Sequence, residues 1–273
     1  SIMKIVYFGN NLFSSCLKYL LDEGHQILHV YKNQPEHGAS TITSLCSHHH
    51  IPLAEVKPTL DDLNKLILLG AEMFIVAEYL HILPSTDVKY AINLHPTLLP
   101  KGRGPTPLPY LINHPTISGL TLHKISDVVD AGDIIMQLKV PVSTDESITT
   151  LMVKMHIESL NLIKTFFTNV DKYYDSATPQ VDHSYWPRSD IFERAVDWNL
   201  PASHIKLLSR RFGFFGVVVK LDNVLFNVSH IEAEEYDHSY LPGNVILEDK
   251  SLLVVSCLDG IACLHKTSIS ELI

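Results

Sequence analysis

The segment Ala91-Ile-Asn-Leu-His-Pro-Thr-Leu-Leu-Pro100 holds the residue types best suited to chemistry. An apolar run ends there in two polar residues, Asn93 and His95, two positions apart. Side chains alternate sides along a strand, so such a pair shares one face. An amide donor and an imidazole then project together. In open parallel sheets, ligands sit beyond the carboxyl ends of the strands, where this pair is expected. Pro96 and Pro100 stiffen the exit loop, and Gly102 and Gly104 flank Arg103.

A second block, Val129-Asp-Ala-Gly-Asp-Ile134, puts Asp130 on a Gly-containing loop between two expected strands, able to reach back across a sheet edge. A third, Ile75-Val-Ala-Glu-Tyr-Leu-His-Ile-Leu-Pro84, runs from a buried strand into a loop that stays apolar. Loops are normally polar, so Tyr79, Leu80, Ile82 and Leu83 read as the wall of a flat, mostly apolar ligand pocket. Taken singly, each block also fits a plainer origin: a capped turn with a satisfied histidine, an Asp-Gly turn, or packing.

The elements that must position these blocks alternate. Residues 3–8 read as a buried strand, and residues 12–23 as a helix stopped by Gly24. Further strands are expected at 26–31, 73–78, 88–94, 119–125 and 133–140, with helices near 39–49 and 60–69 and a long one at 146–170. This pattern implies an α/β chain with a Rossmann-like, mostly parallel sheet. Past residue 176, Pro179, Pro187 and Pro201 punctuate a linker. A short helix at 201–211 and five short strands between 215 and 266 suggest a small OB-like β-barrel. The expected domains are therefore 1–178 and 201–273, joined by a linker over 179–200.

Bulk properties restrict the function. The 273 residues carry a formal charge of −9, without the basic footprint of nucleic-acid binding. No apolar run reaches the roughly 20 residues of a membrane span, and no secretory leader is read, so a cytoplasmic location is expected. Four cysteines without a C-x-x-C pair read as free thiols. Cys46-Ser-His-His-His50 could bind metal by composition alone, but no metal is expected there or at the candidate site. Gly9 and Asn10, between the first strand and first helix, could hold a substrate phosphate.

Together, Asn93-Leu-His-Pro-Thr-Leu-Leu-Pro100, Arg103-Gly104, Gly119-Leu-Thr-Leu-His123 and Asp130-Ala-Gly-Asp133 resemble the folate-dependent formyltransferase family. The resemblance covers residues 3–200 and extends more weakly to the end. It implies a 10-formyltetrahydrofolate donor and a catalytic set of Asn93, His95 and Asp130. It implies pterin binding by backbone groups of Glu78, Tyr79, Leu80, His81, Ile82 and Leu83, and of Ser126, Asp127, Val128 and Val129. A homodimer would also suit the family, although no residue here marks an interface. Tyr185-Trp-Pro-Arg188 resembles a linker motif of the sugar N-formyltransferases, in which Trp186 would stack on a base and Arg188 would meet a phosphate. Arg103 is a further candidate for the acceptor.

Among acceptors, a tRNA is disfavoured. Residues 24–52 contain Lys32 as their only Lys or Arg, and residues 191–273 hold 7 Lys+Arg against 11 Asp+Glu, a net of −4. A nucleotide-linked amino sugar is the expected substrate. Methionyl-tRNA formyl transfer is the alternative. So are formyltetrahydrofolate hydrolysis, whose enzymes carry an N-terminal regulatory domain not read here, and a non-catalytic folate-binding role.

Overall fold

A parallel sheet covered on both faces needs strands that are apolar throughout. In the computed structural model, which describes residues 1–33 and 40–272, the two central strands meet that need. Strand β1 (Lys4–Gly9) is buried from Ile5 onward, and β4 (Met73–Ala77) is buried along its length. With β2 (Gln26–Tyr31), β3 (Leu53–Ala54), β5 (Tyr90–His95), β6 (Gly119–Lys124) and β7 (Ile134–Lys139) they form one sheet, ordered β3-β2-β1-β4-β5-β6-β7. The first five strands run parallel, whereas β6 is antiparallel to β5 and β7 to β6. Between β5 and β6 the chain carries the six-residue α4 (Leu108–Asn113) and a short 3-10 turn.

Helix α1 (Ser14–Asp22) follows a 3-10 turn over Asn11–Phe13, and α2 (Thr41–His48) is capped by Ser40. Residue 39, where α2 was expected to begin, lies outside the described residues. Helix α3 (Leu60–Leu68) opens on a capping box: Thr59 accepts from the Asp62 N–H, and Asp62 accepts from the Thr59 N–H. The long helix expected at 146–170 is α5 (Ile148–Phe167). It stops because the Asn169 side chain caps a separate α6 (Val170–Asp175).

The chain divides into two compact units, one of residues 1–107, 114–141 and 152–187, the other of 108–113, 142–151 and 188–273. In sequence the division falls at 187/188, and two segments from before that point go with the second unit. That unit contains α7 (Ala202–Phe212) and seven strands rather than five. They are β8 (Val217–Leu221), β9 (Val224–Val228), β10 (Ile231–Glu235), β11 (Val245–Glu248), β12 (Leu252–Cys257), β13 (Gly260–His265) and β14 (Ile269–Glu271). They form two antiparallel sheets, β10-β13-β12-β11 and β14-β9-β8. Both sheets and α7 share one core, to which Ile205, Phe212, Val219, Val228, Val255 and Leu264 contribute. Strand β10 escapes notice in the sequence because Glu232, Glu234 and Glu235 dominate it. Only Ile231 and Ala233 face inward. Among the described residues, no helix is long and apolar enough to cross a membrane.

Candidate active site

The reversal at β6 creates a pairing that a parallel neighbour would not. In the β5–β6 register, Asn93 lies opposite His123. The Asn93 amide nitrogen is 2.9 Å from His123 Nε2, and His123 Nδ1 is 2.7 Å from the Lys124 carbonyl oxygen. A carbonyl only accepts, so Nδ1 carries the proton, and Asn93 donates to the bare Nε2. Burial pushes the His123 ring down to about 4, with the neighbouring His95 adding in the same direction, which keeps it neutral near pH 7. One amide hydrogen of half-buried Asn93 is thereby fixed, and the second is aimed by the same bond.

His95 and Asp130 lie together and are buried, with exposures of 5% and 9%. His95 Nδ1 is 3.4 Å from Asp130 Oδ1, and His95 Nε2 is 2.8 Å from the Gly102 carbonyl oxygen. The second carboxylate oxygen, Oδ2, accepts from the Gly104 N–H at 2.9 Å. Both ring nitrogens thus face oxygen acceptors. His95 meets a ligand through Nε2 only by releasing the Gly102 carbonyl.

Asp130 is held in a left-handed conformation with φ 58°, unfavourable for a residue with a side chain. Gln180 secures it: its amide donates to the carbonyl oxygens of Asp130 at 2.7 Å and Gly132 at 2.8 Å, while its own oxygen accepts from Arg103 Nε at 3.1 Å. At Gly132, a Cβ would lie 1.6 Å from the Lys124 carbonyl oxygen, so no other residue lets this loop close on β6.

The two loops assigned to the pterin are tied by a bond from Ser85 Oγ to Asp127 Oδ1 at 2.9 Å. Leu80 and Ile82 on one and Val128 and Val129 on the other are exposed, whereas His81 and Leu83 are half-buried. Exposed aliphatic side chains on linked loops suit a flat apolar ligand. Glu78 has φ 67°, accepts from the Leu12 N–H through its side chain, and gives its backbone oxygen to the Asn10 amide at 2.6 Å. The Tyr79 ring lies against Phe8 and His81, and its buried hydroxyl makes no hydrogen bond. The Ser126 hydroxyl closes its own loop on the Val128 carbonyl.

Several candidate acceptor contacts have structural work here. Gly9 lets β1 approach β4, since a Cβ would fall 2.3 Å from the Ala77 carbonyl oxygen. The Asn10 side chain bridges the Glu78 carbonyl and the Asn33 N–H, so its polar atoms are already engaged. Trp186 is half-buried. Its backbone N–H donates to the Arg103 carbonyl at 2.7 Å, and its ring covers Gly102 within reach of His114. Arg188 is exposed and falls in the second unit. Arg103, half-buried, engages Gln180 only through Nε. Sequence reasoning gave no role to His123 or Gln180, although His123 stands in a motif block. The alternation Leu120, Leu122 against Thr121, His123 was the available signal.

A formyl transferase family model matches residues 4–165. The methionyl-tRNA formyltransferase of Coprothermobacter proteolyticus is 30% identical over 270 residues, covering 92% of this chain and 88% of that protein. Among solved structures, HypX from Aquifex aeolicus aligns with a TM-score of 0.74 at 19% identity over 99% of this chain, which spans 45% of HypX. An N-formyltransferase from Helicobacter canadensis, solved with folinic acid and dTDP-3-aminofucose, aligns with a TM-score of 0.68 at 20% identity, covering 97% of this chain and 99% of that one.

Proposed function

The chain belongs to the formyl transferase family, and from that premise we propose that it moves a formyl group from 10-formyltetrahydrofolate to the amine of a nucleotide-linked amino sugar. The folate supplies the formyl group when bound between the linked apolar loops. The rest falls to the protein. As the amine adds to the formyl carbon, the carbonyl oxygen gains negative charge, and the free amide hydrogen of Asn93 stabilises it. The bond from the formyl carbon to the carrier nitrogen then breaks. The proton lost by the amine ends on that nitrogen, carried by His95 with Asp130 as its partner. The observation that carries this chemistry is the fixed orientation of Asn93 by a neutral His123, beside the buried His95–Asp130 pair.

The acceptor follows from charge. Binding an RNA stem requires several cations to meet phosphates. Lys32, the only Lys or Arg of residues 24–52, is buried and paired with Glu55 at 3.1 Å. The acidic balance of residues 191–273 points the same way. A small nucleotide sugar needs only one or two local donors, such as the terminal nitrogens of Arg103. The 30% identical methionyl-tRNA formyltransferase favours a second reading, with tRNA as acceptor. Formyl-transfer assays with UDP-, dTDP- and GDP-linked amino sugars, and with methionyl initiator tRNA, decide between them. Turnover of a nucleotide sugar without turnover of tRNA is expected; turnover of tRNA alone overturns the sugar assignment.

A further inference from the structure

Sixteen histidines are many for this chain, and the active site uses two. Three others stand in the Cys46–His50 run, but there Cys46 is buried and His48, His49 and His50 are exposed, so the run does not converge. Convergence occurs elsewhere, on the outer face of the second unit's larger sheet. His230, Glu232 and His265 each present a ligand atom, and these three atoms lie within 4.8 Å of one another. His265 Nε2 is 2.7 Å from Glu232 Oε2, and the rings of His230 and His265 stack in parallel with centroids 3.6 Å apart.

The backbone holds this group in place. Ser268 Oγ accepts from the His230 N–H at 3.0 Å and donates towards the carbonyls of His265 at 2.8 Å and His230 at 3.3 Å. The His265 N–H in turn donates to the His230 carbonyl at 3.1 Å. Two imidazoles and a carboxylate are the donor types that borderline divalent ions prefer, with zinc leaving a fourth position to water.

We propose that His230, Glu232 and His265 form a zinc-type divalent metal site, separate from the formyl-transfer residues, which staples β10 to β13. Zinc bonds of about 2.1 Å require ligand atoms roughly 3.4 Å apart with converging lone pairs, so the rings of exposed His230 and half-buried His265 turn out of their parallel stack on binding. His265 Nε2 now donates to Glu232. On binding, that proton moves to Nδ1 or leaves to solvent, and the bare nitrogen takes the metal. Strand β10 is an edge strand of its sheet, so a bond from it to β13 secures the strand with one free edge.

The test uses tag-free full-length chain and Zn2+ alone, with binding followed by calorimetry and bound metal counted after dialysis. His48, His49 and His50 are replaced by Ala throughout, to remove the competing run. One Zn2+ per chain is expected. His230→Ala/His265→Ala should weaken affinity by about a hundredfold or more, and Cys263→Ser should leave it intact. Added Zn2+ should raise the melting temperature of the parent and not of the double variant. Formyl transfer by that variant serves as the check that it is folded. Absence of Zn2+ binding, or binding kept by the double variant, overturns the site.

Discussion

Asn93 and His123 face each other across the β5–β6 ladder, and the 2.9 Å bond between them fixes which atom each can offer. Because His123 is held neutral with its proton on Nδ1, it accepts from Asn93 and cannot itself donate towards the site through Nε2. The amide of Asn93 is therefore both anchored and left with one hydrogen to give. A hydrogen-bond donor fixed before charge develops pays no reorganisation when it does.

Replacing Asn93 by Ala should lower kcat by about 10²- to 10³-fold. His123→Ala leaves the donor present but unaimed, and should lower kcat by about 10- to 100-fold with the folate KM unchanged. The same histidine gives a stability signature. Its folded value, about 4, lies below the ordinary value near 6.5. Between those values the unfolded chain binds a proton that the folded chain refuses, so stability falls as pH falls through that window. The contribution is on the order of 3 kcal/mol, absent from His123→Ala. Urea unfolding of both proteins from pH 7 to 4 checks it; equal losses in the two would exclude the buried neutral ring.

Gln180 should act as a positioning residue for Asp130. It pairs Arg103 Nε with its oxygen and the Asp130 and Gly132 carbonyls with its amide. Gln180→Glu preserves the acceptor for Arg103, but a carboxylate cannot donate to carbonyls. That variant should lose about tenfold in kcat, with the folate KM little changed, because only the Asp130 loop is released from its left-handed turn. Parental turnover in Gln180→Glu would show that the loop holds Asp130 without this residue.

What was legible in the sequence was local. The Asn93–His95 spacing, the glycine beside Asp130 and the apolar run after β4 are patterns within ten residues. Pairings that depend on strand direction were not. His123 matters because β6 runs antiparallel to β5, and nothing between residues 96 and 118 announces the reversal. Gln180 lies 50 residues from the carbonyl it holds. For Trp186 the aromatic and following Arg suggested a nucleotide contact, while the structure sets the ring on Gly102 and its carbonyl against Gly104, where a Cβ would come within 2.0 Å. Two glycines around Arg103 were the signal that something large packs there. In the second unit, acidic residues on the outer face of β10 masked a strand whose inward residues are only two.

The four thiols are free, and their surroundings predict different reactivity. Cys16 is fully buried beside Ser159, and burial pushes it up to about 12; burial likewise takes Cys46 to about 11. Cys257 is buried in the core of the second unit and is also raised. Cys263 is raised by burial and by Glu232 opposite it, yet it alone is partly open to solvent. The thiolate is the attacking species, and a reagent must also reach it. At pH 8 an aromatic disulfide reagent should therefore modify one thiol in the native chain, slowly, and the remaining three only on unfolding. Cys263→Ser should abolish the native-state reaction. Release of two or more equivalents from the folded parent would mean that α1, α2 or the second unit's core opens far more readily than its packing implies.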